Sequence, residues 1–423
     1  MSKKTHREGP AICRRLSRLA APALLAAVST PAVAANAGFQ SYFLQACSSA
    51  TGALTTRCGE TPGGLGDLSG DSESSLNPSQ NMSHTKSSSG LADVRSTEAR
   101  GRAAVMREGD SAVTGPATTV RLGPLNLLVN GRATWFDRDR DPDTDRERSL
   151  DGDSWAVEVG FDGRASERLF LGALVTYESL QYDFVPERRG TNFVAASSAG
   201  QAETDSKSVT FYAAFNPAER AYVDAALGYG HQKHDFRRNP VFQGASRQGQ
   251  FSARVAGDTH SNVYWAYVNG GLDFASGPTT FGPFAGITYA KAKIDAYEEQ
   301  DLNDSGLAMA FAACRRRSAL GHVGLRADRA FSTARGVFVP QLRVEYLHEF
   351  KREILRQASH FLLDPGGAEV VVSGDRPKSG RFSIGAGLTA ILPNGWIAFA
   401  NFDTLAGGDL DRQRIAIGLR VEL

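Results

Sequence analysis

The residues best suited to catalysis are the histidines, because an imidazole can act as a general base near neutral pH. Six of them lie in the second half of the chain: His231, His234, His260, His322, His348 and His360. His231 and His234 are three residues apart, a spacing that places them on opposite faces of a strand, where they cannot share a metal ion. A hydrolase site is defined by the geometry of Ser, His and acid, and no such arrangement is readable along this sequence.

Two further motifs could each be part of a functional site or simply a polar loop. Gly70–Ser72 resembles the Gly-Asp-Ser of some esterases, but a Gly-rich run replaces the buried strand that should precede the Ser. A run of alternating aspartates between Asp137 and Asp145 resembles a calcium-binding loop. It lacks the Gly of the tight turn in such loops, and neighbouring arginines neutralise its charge. The run consists of Asp137, Asp139, Asp141, Asp143 and Asp145, with Arg138, Arg140, Arg146 and Arg148. We interpret both as polar loops, and expect no catalytic, cofactor-binding or metal-binding residue.

The cysteines are few. The sequence has four Cys, which is too few for a dense disulfide framework. Cys47 and Cys58 could close a small loop in an oxidising compartment, the alternative being two thiols. We expect Cys314, beside the basic run Arg315–Arg317, to be an unpaired thiol. It falls in a segment that we interpret below as an outer loop.

The N-terminus has the features of a secretory signal peptide. Leu19–Val28 is a short apolar run, and Ala32-Val33-Ala34 is an A-x-A cleavage site. The run is too short to span a membrane, so removal after Ala34 is expected. The basic residues that precede it are Lys3, Lys4, Arg7, Arg14, Arg15 and Arg18.

The elements that would position these residues begin late in the chain. Residues 35–90 are rich in Ser, Gly, Thr and Asn, and contain too few large apolar residues to fold alone. Leu91–Glu108 has weak helical periodicity and is polar nearly all round. Such a helix would suit a polar pore, and the alternative is a partly disordered linker. We therefore divide the chain into a signal peptide (1–34), a short low-complexity passenger or surface segment (35–90), a linker with a pore helix (91–117) and a barrel (118–423).

Strict alternation of apolar and polar residues dominates the rest of the chain. In the last strand Ile415, Ile417 and Leu419 face one way, whereas Gly418 and Arg420 face the other. We count twelve such segments, many long enough to cross a bilayer at a tilt. They are a strand around Leu127–Trp135, then Trp155–Phe161, Leu169–Phe184, Val209–Phe215, Tyr222–Phe236, Tyr264–Phe274, Phe281–Tyr297, Ala319–Phe331, Val337–Phe350, Phe382–Leu392, Trp396–Phe402 and Ile415–Leu423. The register of Phe281–Tyr297 is ambiguous.

The connections alternate between tight turns and long polar loops until the short last link, Leu405–Leu410. The long loops are Asp137–Asp153, Pro186–Lys207, Arg237–Asn262, Glu298–Arg317 and Lys351–Lys378. This rhythm is typical of a transmembrane barrel with short periplasmic turns and long outer loops. The sequence therefore predicts an all-β fold, an antiparallel up-and-down transmembrane barrel of about twelve strands with an N-terminal helix inside the pore.

The two faces of the predicted strands agree with a barrel. Charged residues share the face that we assign to the lumen: Arg132, Glu158, Glu178, Asp224, Asp273, Arg326, Asp328, Arg343, Glu345, Asp403, Arg420 and Glu422. Aromatic residues near strand ends share the lipid face: Trp155, Phe161, Tyr177, Phe215, Tyr229, Phe274, Tyr289, Tyr346, Trp396 and Phe402. Both charge signs are present, so we expect a paired, hydrated lumen and aromatic girdles at the interfaces.

Several short motifs resemble the autotransporter β-domain family. They are Asn394-Gly395-Trp396, Phe399–Asp403, Gly407-Gly408, Gly418–Arg420, Leu347–Phe350, Gly385–Leu388, Tyr264–Phe274 and Phe281–Phe284. The resemblance covers roughly residues 115–423 and implies a twelve-stranded outer-membrane barrel with a helix through its pore. Two departures are a terminal Leu423 where the family usually ends in an aromatic residue, and a very short passenger.

The resemblance implies a translocator and anchor that exports or displays its N-terminal segment at the cell surface. Its expected partners are outer-membrane lipids and lipopolysaccharide, the barrel-assembly machinery and periplasmic chaperones, with the barrel itself monomeric. The net charge of +1 gives no reason to expect nucleic acid. The alternative is an outer-membrane pore or an adhesin that works through its loops. A less favoured alternative is an outer-membrane hydrolase.

Overall fold

The computed structural model describes residues 37–59, 125–140, 147–166, 168–186, 198–243, 250–408 and 410–423. The predicted signal peptide, Gly70–Ser72, the predicted pore helix and Asp141–Asp145 lie outside these ranges. Neither helix within them is both long and apolar enough to cross a membrane.

The described ranges contain two helices and twenty strands. They are α1 (Ala37–Cys47), α2 (Gly52–Gly59), β1 (Asn126–Arg138), β2 (Leu150–Ser166), β3 (Leu169–Phe184), β4 (Gly200–Ala218), β5 (Ala221–Arg238), β6 (Val241–Gln243), β7 (Gln250–Ser252), β8 (Val255–Leu272), β9 (Phe274–Ser276), β10 (Thr279–Ile294), β11 (Tyr297–Asp301), β12 (Met309–Phe311), β13 (Cys314–Arg329), β14 (Phe331–Thr333), β15 (Gly336–Glu349), β16 (Arg356–Phe361), β17 (Val370–Ser373), β18 (Gly380–Ile391), β19 (Ile397–Ala406) and β20 (Asp411–Glu422).

Twelve long strands form a closed antiparallel barrel, as the sequence predicts. Each pairs with the next in chain order: β1, β2, β3, β4, β5, β8, β10, β13, β15, β18, β19 and β20. The first and last strands then pair along their length, from Asn126 opposite Glu422 to Asp137 opposite Asp411. Closure leaves no unpaired strand edge, which a membrane would penalise heavily.

The middle of the barrel carries apolar side chains on its outer face, whereas charged and polar side chains lie beside apolar clusters inside. On the closing strand Ile417 is 63% exposed and Arg420 is 1% exposed, which confirms the predicted faces. All ten aromatic residues predicted to face lipid are exposed. The register of β10 is also resolved, because Phe281, Ile287 and Tyr289 face outward while Phe284 faces the lumen.

All five long polar loops that the sequence predicted are partly strand, so those bounds were wrong. Pro186–Lys207 contains the first part of β4, where Glu203 and Lys207 point outward. The barrel strands continue past the aromatic residues at the end that carries the long connections, which we call the loop end. Outward residues there are charged, so the alternation of the membrane region does not extend to them.

A small sheet covers part of the loop end. We call β11, β12, β16 and β17 the outer sheet, since these strands pair consecutively and β11 pairs with the end of β8. A buried ion pair fixes its base: the Arg238 guanidinium donates to both carboxylate oxygens of Glu299 at 2.6 Å. The N–H of Met309 donates to the same carboxylate, which ties β12 to the barrel wall.

Candidate functional site

The lumen contains a cluster of buried charges at mid-height. A guanidinium nitrogen of Arg132 lies 3.0 Å from Glu178 and another lies 3.8 Å from Glu158, with all three side chains fully buried. The Asn130 amide donates to Glu158 at 2.7 Å. These groups come from adjacent strands because alternate residues of each strand face inward. The lumen is therefore polar and internally paired at this level.

A second buried cluster joins the last barrel strand to the second one. It lies near the end of the barrel that carries the short connections, which we call the turn end. Arg420 of β20 donates to Asp162 of β2 through Nε at 3.0 Å and Nη2 at 2.6 Å, reaching across β1. The Tyr212 hydroxyl and the Asn126 amide also donate to this carboxylate. The sequence placed Arg420 in a hydrated lumen, whereas the structure buries it in an ion pair in which both Arg420 nitrogens donate to Asp162 Oδ1.

Two other ion pairs and one polar chain also line the lumen. Arg326 lies 2.7 Å from Asp273, and Arg414 pairs with Asp403. The Asn269 amide donates to Asp224, and its oxygen lies 3.1 Å from His322 Nε2. These contacts confirm the expectation that both charge signs pair inside the barrel.

His234 lies in a buried hydrogen-bond chain that sequence reasoning did not identify. Its Nε2 lies 2.7 Å from Ser261 Oγ, and its Nδ1 lies 2.9 Å from Thr204 Oγ1. Ser261 donates to the Gln232 amide oxygen at 2.9 Å, so its proton points away from the imidazole. Thr204, His234, Ser261 and Gln232 therefore form one buried polar network across β4, β5 and β8.

The other candidate histidines are not brought together with His234. His231 and His260 lie on the outer face of the wall, where their rings stack at 5.5 Å. His348 also faces outward, packed against Phe350, and His360 is exposed on the outer sheet. The predicted separation of His231 from His234 is confirmed.

The acidic run is described only in part. Asp137 and Asp139 are exposed at the loop end. The neighbouring Arg138 and Arg140 both contact Glu147, at 3.4 and 3.6 Å, and Arg140 also lies 3.8 Å from Asp375.

The basic run at Cys314 is part of a strand, not the outer loop that the sequence predicted. Cys314 begins β13 and is buried outside any disulfide. Because successive residues of a strand alternate, Arg315 and Arg317 point outward while Arg316 points toward the interior.

The most informative site lies at the mouth of the loop end, where the N-terminal segment is seated. The Cys47–Cys58 disulfide, left open by the sequence, links α1 to α2. We call residues 37–59 the hairpin. Thr51 N–H donates to the carbonyl of Leu363 at 2.9 Å, and Ser49 donates to Asp364. The hairpin is therefore hydrogen-bonded to the loop that follows the outer sheet strand β16.

Aromatic packing fixes α1 against the outer sheet. Tyr42 stacks on Phe361 with ring centroids 5.6 Å apart, and Phe43 meets the same ring edge-on at 5.9 Å. The backbone N–H of Phe361 donates to the Tyr42 hydroxyl, and burial raises the pKa of that hydroxyl. The hairpin is thus packed as a core element, although the sequence assigned this segment too little apolar surface to fold alone.

α2 is fixed by a glycine and a cation. Gly306 has φ of +79°, and a Cβ there would lie 2.4 Å from the backbone nitrogen of Leu54. Only glycine permits this approach of the loop to the helix. The Arg57 guanidinium lies 4.0 Å over the ring of Phe251.

The hairpin and the loop end share one hydrophobic core. Its helix members are Tyr42, Phe43, Ala46, Leu54 and Cys58, and its wall and sheet members include Phe136, Leu150, Leu180, Tyr182, Phe184, Phe236, Ile294, Met309, Phe311 and Phe361. A sequence signal for it exists: inward positions near the loop ends of β2, β3 and β5 include Leu150, Leu180, Tyr182, Phe184 and Phe236, whereas the inward residues Ser154, Glu178 and His234, further from the loop end on these strands, are polar.

The fold and the sequence both match autotransporter translocators. The family model for the autotransporter beta-domain matches residues 127–403. No curated protein matches the chain. The translocator domain of autotransporter NalP from Neisseria meningitidis is 13% identical with a TM-score of 0.54, covering 78% of this chain and 98% of that one.

Two further autotransporter structures are similar. The β domain of the Bordetella autotransporter BrkA is 18% identical, with a TM-score of 0.49, and covers 71% of this chain and 100% of that chain. The transport unit of AIDA-I from Escherichia coli is 12% identical, with a TM-score of 0.43, over 76% and 97%. On the family match, this chain belongs to the autotransporter β-domain family of outer-membrane barrels.

Proposed function

We propose that this barrel exports its own N-terminal segment, residues 35–90, and anchors it at the cell surface. One observation carries the proposal. The hairpin, which precedes the barrel in sequence, lies at the loop end, whereas β1 begins with Asn126 at the turn end. The sequence between them has to run from one end of the barrel to the other.

The polar lumen supports a path through the barrel for this connection. The outer wall is apolar and faces lipid, where the charges of residues 91–117 would be costly. The lumen is lined with charged and amide groups such as Arg132, Glu158 and Asn130. Leu91–Glu108 would be about 27 Å long as a helix, close to the thickness of a bilayer core. We place the linker there.

The proposal fixes the orientation of the barrel. A signal peptide over residues 1–34 delivers the chain to the periplasm, and the loop end faces the cell exterior. The hairpin, packed on Phe361 and bonded to Leu363, then holds the exported segment at the barrel mouth. In this arrangement the Cys47–Cys58 disulfide forms in an oxidising compartment.

Surface labelling tests the proposal directly. An epitope inserted after Asn36 should bind antibody on intact cells, because the chain enters α1 from that point. The matched control is the same epitope between Pro393 and Asn394, in a turn of the opposite end, which should bind only after the outer membrane is permeabilised. Labelling of the turn on intact cells, or of Asn36 only after permeabilisation, would refute the export topology.

Single-channel recording separates an anchor from an open pore. A chain lacking residues 35–108 loses both the hairpin and the proposed pore helix, so its conductance should rise well above that of the full chain. Equal, large conductance in both chains would favour the alternative of a constitutive pore.

A further inference from the structure

Four cations form a compact group on the outer wall near the loop end. Lys291 lies directly opposite Arg317 and Lys293 directly opposite Arg315, in the register of β10 and β13. Residues of one parity on a strand share a face, so all four side chains point away from the lumen. We call these four residues the basic patch. Arg316 is not a member, because it points toward the interior.

The electrostatics of the basic patch are unfavourable without a ligand. Directly opposed residues of an antiparallel pair have Cβ atoms about 5 Å apart, and like charges at that distance repel. In the part of the chain that the structure describes, none of the four side chains has an ion pair within 4.0 Å. Two arginines and two lysines therefore present their charges together to the surroundings.

The position of the patch matches the headgroup layer of a membrane. Tyr289 precedes Lys291 by two residues on the same face, Tyr264 lies directly opposite Lys291, and both tyrosines are exposed. Exposed aromatic residues of this kind mark the membrane interface in barrels. At about 3.3 Å per residue, Lys291 and Lys293 lie roughly 7 and 13 Å beyond Tyr289 along β10.

The neighbouring strands carry acidic residues closer to the loop end. Glu203, Asp235 and Asp258 face outward on β4, β5 and β8, where they surround Arg237, and Asp235 pairs with Lys233 at 2.9 Å. On these strands Lys233 and Arg237 thus lie among carboxylates, unlike the four cations of β10 and β13.

We infer that the basic patch binds the phosphate groups of lipid A, the phosphorylated lipid headgroup of the outer leaflet. Arginine forms paired charge-assisted hydrogen bonds with phosphate, and lysine adds point charges. A headgroup with phosphates at the interface would neutralise both opposed pairs while its acyl chains lie along the apolar wall below Tyr289. The inference uses the outward orientation of the loop end from the proposed function, and does not depend on passenger export.

Lipid binding by the purified full-length protein tests the inference. The probe is lipid A in zwitterionic detergent, with dephosphorylated lipid A beside it, and retained lipid is counted by native mass spectrometry. Lys293→Gln/Arg315→Gln should weaken lipid A binding roughly tenfold or more, since hydrogen bonds to charged groups are among the strongest. The matched control, Lys233→Gln/Arg237→Gln, also removes one Lys and one Arg from the wall, but from its acidic side, and should bind like wild type.

Three further measurements sharpen the outcome. Heat-modifiable migration on a gel shows that each variant is folded, and Lys291→Gln/Arg317→Gln replaces the first variant if that one is not. Wild-type affinity should fall with added salt, and inorganic phosphate at the same concentration should not displace the lipid. Equal binding by patch and control variants, no preference for phosphorylated lipid A, or displacement by inorganic phosphate would overturn the inference. The epitope experiment reports orientation separately, so failure here with correct labelling refutes only the lipid site.

Discussion

The middle of the barrel and its loop end are built from the same strands with opposite polarity. On β3, Val175 and Tyr177 face outward in the middle while Thr176 and Glu178 face the lumen. A few residues further along the same strand, Asp183 faces outward, and Tyr182 and Phe184 face inward. Other strands show the same change among their inward residues: β1 between Thr134 and Phe136, β2 between Ser154 and Leu150, and β5 between His234 and Phe236.

The change of polarity along each strand marks where the outer face passes from contact with lipid to contact with water. In the middle, lipid contacts the outer face, and an apolar residue is stabilised there while a charge is not. At the loop end, water contacts the outer face, so the wall behaves as a soluble protein with an apolar interior. The hairpin occupies that interior and packs its apolar side chains into the core. The boundary follows a row of exposed aromatics in contact with one another, including Trp155 with Tyr177 at 5.4 Å and Tyr229 with Tyr264 at 5.1 Å.

The largest effect is expected from breaking the buried pair in the polar region. Arg420→Ala leaves the Asp162 carboxylate buried without its cationic partner, and such uncompensated charges cost about 3–5 kcal/mol. A hydrated Arg420, as expected from the sequence, would instead predict a mild effect. The measurement is the free energy of unfolding by denaturant in detergent micelles.

A double variant serves as the control for Arg420. Arg420→Met with Asp162→Asn removes both charges, while the Asn oxygen can still accept from Tyr212. It should recover a large part of the loss, since removing both partners of a buried pair is far less damaging than removing one. A double variant as unstable as Arg420→Ala would show that the charge is not the cause.

A comparable effect confined to the loop end is expected from Phe361→Ala. The substitution leaves a cavity between α1 and the outer sheet, and a buried Phe→Ala change costs about 3–5 kcal/mol. The matched control is Leu362→Ala, because that neighbouring side chain is 39% exposed and faces away from the hairpin. Protease release of the hairpin should accelerate in the first variant alone, while heat-modifiable migration of the barrel stays intact in both. Loss of the whole barrel would contradict the separation of the two regions.

The next effect tests the boundary on a single strand. Ile417→Arg places a charge on the lipid face at mid-height, at a cost of about 2–4 kcal/mol, whereas arginine near the interface costs about 0–1 kcal/mol. Gln413→Arg is therefore the control, since Gln413 faces outward on β20 opposite Trp135 of the aromatic row. The readout is outer-membrane yield. Equal yields would mean that the change of polarity does not mark the membrane boundary.

Much of the barrel was predictable from sequence because one rule, alternation with lipid outside, holds along most of each strand. The twelve strands, their faces and their closure followed from it, as did the separation of His231 from His234. The rule fails beyond the aromatic row, which is why residues such as Glu203 and Arg315 were assigned to loops although they lie in β4 and β13. The His234–Ser261 chain and the hairpin contacts with Phe361 join residues far apart in sequence, and only the folded register brings them together.

The smallest expected effect concerns the loop that receives α2. The Asp301 carboxylate accepts from Ser305 N–H at 2.9 Å and from Gly306 N–H at 2.6 Å, which holds Gly306 against Leu54. Burial alone would raise the pKa of Asp301, but these hydrogen bonds outweigh it and lower the pKa below its ordinary value of 3.8. A lowered folded-state pKa contributes stability above the unfolded-state value, and that stability is lost as pH falls through the folded-state pKa. Asp301→Asn should therefore lower the thermal midpoint of the loop end at pH 7, at a cost of about 1 kcal/mol, and the difference from wild type should shrink below pH 3.8. A difference that stays constant down to pH 3 would show that the charge of Asp301 does not hold the loop against the hairpin.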